Sequence, residues 1–393
     1  MATAELLDEG GLSGIEREWG ELAVECARPG SLPDLLLPWW RHLAPPGALA
    51  RVVAVREGGR LVGLAPFLIQ EGPLGRPAAR LFGTPSLPQR ATILAAPGHE
   101  AAVWRLTARA LAGSEPRPAM LALERVDGDA AWPRALARAW PTALGARLLL
   151  EFRIPGQALS MRAGSFDAWM AGRSHNARRD VRRTAKRVEK RGGTVTRADG
   201  REDMQRALEA FGRMHELRWG DRSRLWRPDA LAMLSEAGDR MRGSERLRLY
   251  AIEADGRVVA TLFVFAAGGE AMAWNGAWEP DWGPVRPMMA LFYRAIEDCF
   301  ELGDRRLDFG EGEQHYKLRL TDARDPVAWA TLLPRDASYP MMRAATAPRR
   351  LRGRGRMAAR RLPAGLQDRL RRARRRIRGE GAAVSDEGGE AAP

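Results

Sequence analysis

The sequence predicts an α/β protein of the α+β kind, built as two tandem copies of one fold with mixed sheets flanked by helices. Three observations lead there. The 393 residues exceed one ordinary core and suit two domains. Strand-like and amphipathic helical runs alternate along the chain. A short segment also recurs. Ala54-Val55-Arg56-Glu57-Gly58-Gly59-Arg60-Leu61-Val62-Gly63 reads as strand, tight turn, strand, and 197 residues later Ala251-Ile252-Glu253-Ala254-Asp255-Gly256-Arg257-Val258-Val259-Ala260 reads the same way. The Gly-Gly and Asp-Gly pairs supply the positive φ that a two-residue hairpin turn requires. A helical region precedes each hairpin, at Ile15–Cys26 and Met204–Trp219, and strands followed by a helix come after each.

The first copy is expected over residues 1–155. Its second strand, Leu61–Gln70, carries Pro66, and a Pro-Gly-rich loop, Glu71–Pro97, follows. Proline is tolerated only at the edges or bulges of a sheet, so this copy reads as degraded or supporting. The second copy is expected over 160–335. It opens with a basic helix, passes through the hairpin, adds a strand at Glu270–Trp278 and crosses a Pro-rich loop. Val285, Met289, Phe292, Ile296 and Cys299 then recur at helical spacing up to Gly303, and Arg306–Gly310 reads as a short strand leaving into a loop. From 343 the chain is an Arg-rich tail, partly disordered. Within it Leu366, Leu370, Ala373 and Ile377 make one face of a basic amphipathic helix, and the last fourteen residues are acidic and small.

The net charge of +14 suggests a nucleic-acid protein until it is located. Residues 343–379 hold 15 Arg and one Asp, which is the whole excess; residues 1–342 carry +4. The body is nearly balanced, and a nucleic-acid reading of it needs a local patch. Cys26 and Cys299, far apart, argue against a disulfide framework and for a reducing cytoplasm. The acidic start MATAELLDEGG lacks the order of a secretory signal, and no apolar run is long enough to span a membrane. A peripheral place at the inner membrane face is compatible with the basic tail.

Three segments carry candidate chemistry. Ser174 is an N-cap for the basic helix that Gly192 ends, with Ala177, Val181, Ala185 and Val188 as a narrow apolar stripe. Arg178, Arg179 and Arg182 flank that stripe, either as a solvated face or as a grip on phosphate. The second segment, Trp274 to Pro287, delivers a strand to a helix start, where free N–H groups favour phosphate; Asn275, Gly283 and Arg286 are its candidates. Read plainly, it is a Pro-stiffened connection. The third, Asp308-Phe309-Gly310-Glu311-Gly312-Glu313-Gln314-His315-Tyr316-Lys317, crowds acids, a His, a Tyr and a Lys into one turn. It is an ordinary polar turn, or a site where a carboxylate takes a proton and Lys317 neutralises charge. No G-x-S-x-G elbow or Walker loop occurs, and the five His show no paired spacing, so no metal is expected.

In this order, the three segments resemble the CelD/FemAB-like branch of the GNAT superfamily of acyltransferases. The resemblance rests on Ser174, Asn176, Arg178 and Arg179, on His215, Arg218 and Trp219, on the hairpin at 247–265, on Pro287, and on Asp308, Phe309, Gly310, Gly312, Tyr316 and Lys317. It covers about 160–325 well and 10–150 weakly. It implies two GNAT-like domains with an active site near their junction. It also implies acyl transfer to an amine or hydroxyl, often on cell-envelope or polysaccharide precursors. The donor is acyl-CoA, acetyl-CoA in the simplest case, or aminoacyl-tRNA as in FemAB-type relatives. The [QR]-x-x-G-x-[GA] phosphate loop of ordinary acetyltransferases is not evident; the nearest region offers a single glycine, Gly283, among prolines.

The expectation is therefore an acyltransferase with Lys317, Tyr316, Glu311 and Asp308 as catalytic residues. Arg178, Arg179, Asn176, Trp219, Asn275, Gly283, Arg286 and Gly310 would bind donor or acceptor. A second reading makes the body a scaffold without chemistry, docked on anionic lipid or RNA through residues 343–378.

Overall fold

The repeated hairpin lies inside each of two sheets in the computed structural model, which describes residues 1–84, 86–220 and 228–360. The first half runs β1 (Thr3–Leu7), α1 (Leu12–Glu25), α2 (Pro33–Leu43), β2 (Leu49–Glu57), β3 (Arg60–Glu71), β4 (Pro77–Leu81), β5 (Leu94–Ala95), α3 (Glu100–Ala112), β6 (Met120–Asp127), α4 (Trp132–Ala139) and β7 (Ala146–Ile154). Next come β8 (Gly156–Ser160), α5 (Phe166–Ala171), α6 (His175–Lys190), β9 (Gly193–Arg197), α7 (Arg201–Trp219), α8 (Pro228–Met241), β10 (Leu247–Ala254), β11 (Arg257–Ala267) and β12 (Glu270–Trp278). The chain continues through α9 (Pro287–Glu301), β13 (Arg306–Glu311), α10 (His315–Leu320), β14 (Ala323–Arg324), β15 (Val327–Pro334), α11 (Tyr339–Ala345) and α12 (Ala347–Arg360). Both hairpin turns have the left-handed pair their residues permit: φ is 58° and 83° at Gly58 and Gly59, and 50° and 71° at Asp255 and Gly256.

Strand order reveals the duplication and adds something to it. The first sheet runs β1-β2-β3-β4-β6-β15-β7, with β5 on β3; the second, read from its far edge, runs β9-β10-β11-β12-β13-β8-β14. Position by position the two match, each with one parallel pair, β4–β6 and β12–β13, among antiparallel neighbours. The sixth place in each sheet, however, is filled by the other half. β15, from the end of the second copy, lies between β6 and β7, and β8, from the link after the first, lies between β13 and β14. Each sheet thus takes one strand from outside its expected copy, 1–155 or 160–335.

Pro66 is not on an edge. β3 is interior, and Pro66 falls between the residues that pair β5 (Gly63, Leu64) and those that pair β4 (from Phe67). Its carbonyl still accepts the Phe82 N–H at 2.8 Å. The ladder is interrupted just where the missing N–H would have needed a partner.

One face of the second sheet (Tyr250, Ile252, Leu262, Val264) packs with α9 (Leu291, Ile296, Cys299) and Val188 of α6. The other face (Leu249, Phe263, Phe265, Trp274) packs on Phe211 and Met214 of α7 and joins one core continuous with the first half. The α6 stripe differs from expectation: Thr184 and Val188 are buried, Ala177 and Val181 half-buried, and Ala185 exposed. Residues 343–360, where the Arg-rich segment was expected to start, are helical, in the last turn of α11 and in α12. Met342 is buried against Ala78, Met120, Ala122 and Leu333 of the first sheet, and Arg349 of α12 reaches Glu124 at 2.7 Å and Glu151 at 3.4 Å. The basic stripe at Leu366–Ile377 lies outside the described residues. No helix among the described residues is long and apolar enough to cross a membrane.

Candidate active site

A parallel pair of strands with a helix between them diverges where the twist cannot be held, and both sheets do this at the same point. In the first sheet β4 and β6 pair only over Ala78–Arg80 and Met120–Ala122. The Pro-Gly loop returns into that opening: the Ala91 N–H donates to the Arg125 carbonyl of β6 at 3.0 Å, and Leu94 pairs Leu64 of β3. Phe82 stacks on Trp40, and Leu87 is fully buried. The first copy has thus closed its opening with its own chain. In the second sheet the pairing stops at Met272 and Asp308. Beyond lie the bulged strand around Trp274, the start of α9, and the turn that carries Lys317.

Lys317 is 6% exposed. Its Nζ donates to the Glu311 carbonyl at 2.7 Å, while Asp308 and Glu311 supply nearby negative charge. Burial outweighs those charges and pulls its pKa down from 10.5 to about 8. Gly310 and Gly312 make the reversal at φ of 73° and 103°; around Gly310 there is open space, so conformation rather than crowding requires the glycine. Tyr316 stacks on Phe292, ring centroids 5.3 Å apart, and burial raises its pKa so that the hydroxyl stays neutral. One Glu311 oxygen, Oε1, meets Arg125 at 2.9 Å; the other, Oε2, is buried and has no hydrogen-bond partner.

Asp308, expected beside Glu311 as a proton acceptor, already has partners on both oxygens. Its Oδ2 accepts from Arg90 Nε at 2.6 Å and its Oδ1 accepts the Gly310 N–H at 2.7 Å. Although burial opposes ionisation, the Arg90 guanidinium and these hydrogen bonds hold its carboxyl below the usual range. An anion so satisfied is a poor base; it shapes the turn. Arg90 also pairs with Asp127 at 3.0 Å, and these groups, with Arg28, Glu270 and Arg306, line a charged cavity of about 500 Å³ between the two halves.

The phosphate candidates are more dispersed. Arg178 Nη1 donates to the Ala171 and Arg173 carbonyls, closing the end of α5, while Arg179 and Asn176 are exposed. Asn275 Oδ1 accepts the N–H of its neighbour Gly276. Gly283 stands in open space, with Trp278 Nε1 4.0 Å from where a Cβ would be. Arg286, left-handed at φ 60°, begins α9 and pairs with Asp180 at 2.8 Å, and Arg319 reaches the same carboxylate at 3.2 Å. Asp180 of α6 is therefore the anion between those two guanidinium groups. The Trp219 side chain lies outside the described residues. Arg218 lies 3.9 Å from the Trp278 ring centroid, and His215 is buried beside Phe211, its pKa pulled down to about 4 by burial and then by Arg218.

Arg90 and Arg125 were not singled out from the sequence. Nothing near them marks chemistry, since each comes from the first copy and acts only across the junction. A usable signal lay in composition. The chain holds 60 Arg and three Lys, and Lys317 is the buried one; Lys186 and Lys190 are exposed on α6. In a chain so rich in arginine a buried lysine stands out, because its charge, unlike that of arginine, can be lost.

The paired openings, the bulged fourth strand and the Tyr-Lys turn can now be set beside known proteins. Residues 175–318 match the acetyltransferase (GNAT) domain family. The second half of the chain thus carries an acetyltransferase domain of the GNAT type, which makes the protein an acyltransferase by its domain. No protein of curated function matches it. Among solved structures, FemX is similar over 80% of this chain and 95% of its own, at 14% identity and a TM-score of 0.57. The C-terminal domain of a protein from Agrobacterium fabrum assigned as a lysylphosphatidylglycerol synthetase covers 85% and 96%, at 12% identity and 0.56. A conserved protein from Bacteroides thetaiotaomicron covers 85% and 100%, at 10% identity and 0.53. These likenesses speak for the two-copy fold.

Proposed function

We propose that this acyltransferase moves an acyl group from acyl-CoA, acetyl-CoA in the simplest case, to an amine or hydroxyl of a cell-envelope or polysaccharide-related acceptor, with Lys317 at the centre of the site. The observation that carries the reading is Lys317 itself, buried at the junction of the halves with a pKa of about 8. Near neutral pH it holds a proton and stands poised to release it, which suits stabilising the negative charge that builds on an attacked carbonyl. Glu311 Oε2, buried without a partner, would take the proton of the attacking group and pass it to the leaving thiolate, to which the neutral Tyr316 hydroxyl would donate a hydrogen bond. The opening beyond Met272 and Asp308 leads to the start of α9, whose free N–H groups suit the donor's phosphates. The charged cavity beside Asp308 suits a polar acceptor.

The test is donor consumption with a panel of amine and hydroxyl acceptors, alongside calorimetric titration with acetyl-CoA and free coenzyme A. Lys317→Ala is expected to lower turnover at least about tenfold, roughly 1.4 kcal/mol of barrier, while donor binding persists. Unchanged turnover would remove Lys317 from the mechanism. No binding at millimolar coenzyme A would favour an aminoacyl ester carried on RNA, for which Arg179, Arg182, Arg183, Lys186 and Lys190 offer an exposed cationic face on α6.

A further inference from the structure

The first copy has closed its own opening, yet two of its arginines reach the working turn of the second. Arg90, at the end of the closing loop, holds Asp308, and Arg125, on β6, holds Glu311. These two carboxylates bracket Gly310, and the second belongs to the residue whose carbonyl anchors Lys317.

Arg125 is the more informative of the pair. It has φ 55°, a left-handed backbone that an arginine adopts at a cost and that persists only where its surroundings enforce it. Those surroundings are plain. The register of β15 against β6 slips between Ala328 and Ala330, opposite Arg125, which is how a bulge re-aims a side chain. The Arg125 carbonyl accepts the Ala91 N–H of the closing loop. Its guanidinium is mostly buried and lies 5.5 Å from the centroid of the Trp329 ring, on β15, the strand lent by the second copy. Loop closure, strand exchange and stacking thus all bear on one side chain, and that side chain ends 2.9 Å from Glu311 Oε1. A surface ion pair would not need this support.

We propose that Arg125 is a positioning residue for acyl transfer: by gripping one oxygen of Glu311 it fixes the turn whose carbonyl holds the Lys317 ammonium and leaves the other oxygen free. The inference rests on the reading of Lys317 given above. It gives the first copy a function, since one carboxylate of the working turn is held from across the junction. Arg90, through Asp308 and the Gly310 N–H, pins the opposite end of that turn.

With only three lysines in the chain, the turn can be followed directly. The intact protein is labelled with a trace of acetic anhydride at about pH 8, and modification of Lys317 is read by peptide mass spectrometry against Lys186 and Lys190 as exposed standards. Arg125→Ala is expected to speed Lys317 labelling at least about tenfold relative to the α6 lysines, as the freed turn exposes the amine. Arg125→Lys, which keeps the charge but loses the fork and the flat stacking surface, is expected to fall between wild type and alanine. It also guards against a variant that fails to fold. Labelling of Lys317 at the wild-type rate in both variants overturns the inference. Turnover separates this from the reading beneath it. Arg125→Lys lowering turnover with donor KM unchanged supports the positioning role, whereas wild-type turnover in Lys317→Ala removes the transfer reading without touching the labelling result.

Discussion

A buried lysine is a cost the fold carries for its site, and the sign of that cost is measurable. In the unfolded chain Lys317 titrates near 10.5, and in the fold near 8. Below about pH 8 both states hold the proton, and the fold bears the full penalty of a poorly solvated cation. Between about 8 and 10.5 the unfolded chain still binds a proton that the fold has released, so stability rises with pH through that window; above it the penalty is gone. Lys317→Met removes the penalty together with the hydrogen bond to the Glu311 carbonyl, worth about 1 kcal/mol. The variant is therefore expected to be more stable than wild type by about 1–2 kcal/mol near pH 6.5, with the advantage lost or reversed near pH 10. Paired urea melts at the two pH values check this. A variant less stable at both would mean that Lys317 is better solvated than its burial implies. A stabilised fold with lost turnover is the expected signature of a residue kept for chemistry.

Among the elements, α12 gives the sharpest contrast, because it carries two glycines in different surroundings. A Cβ on Gly353 would lie 2.6 Å from the Glu151 carbonyl oxygen and 2.9 Å from Phe152 Cδ1, so the helix approaches β7 as closely as a bare backbone allows. A Cβ on Gly355 would meet nothing. In a helix alanine is favoured over glycine by about 1 kcal/mol. Gly355→Ala is thus expected to stabilise by about 0.5–1 kcal/mol, while Gly353→Ala destabilises by about 1–3 kcal/mol as α12 is pushed off the sheet. Thermal unfolding of the two variants side by side tests this; equal shifts would mean that α12 is not seated on β7. The same helix shows what a sequence leaves hidden. Its 14 residues are so rich in arginine that they read as tail, because the features that seat it are a glycine contact and an ion pair to Glu124, each needing a partner two hundred residues away. Where partners are local, the sequence suffices. Strand β12 lies where its alternation placed it, Ser174 caps α6 through the Ala177 N–H, and the periodic run at Val285–Cys299 is α9 to within two residues at its start. The acidic-glycine turn with Tyr316 and Lys317 was legible for the same reason. Arg90 and Arg125 were not, since their chemistry exists only across the junction.

Across the whole molecule, the exchange of β8 and β15 decides what the two copies are to each other. A repeat in sequence suggests two domains that fold alone, because hairpin turns and helical periods say nothing about which sheet a strand will join. Here β15 pairs with both β6 and β7, and its Leu332 and Leu333 are fully buried, so removing it would split the first sheet internally. Removing β8 would part β14 from β13 in the second. Interior strands leave two rows of unpaired backbone groups when lost, and a gap of that kind is not closed by small shifts. The halves are also clasped where α2 meets α8, with Arg41 and His42 on Glu236 and Arg246 on Asp34. One cooperative unit is therefore expected, in contrast to the independent transitions of separate domains. The check is to express residues 1–162 and 163–393 apart and together, so that β8 leaves with the first fragment. Each fragment alone is expected to lack a sharp thermal transition, while co-expression yields a complex that regains one, since each supplies the strand the other lacks. If 163–393 folds and turns over by itself, then neither the exchanged strand nor Arg125 is needed to build the site. If it folds only with its partner, the closed first copy has been kept because it completes the second.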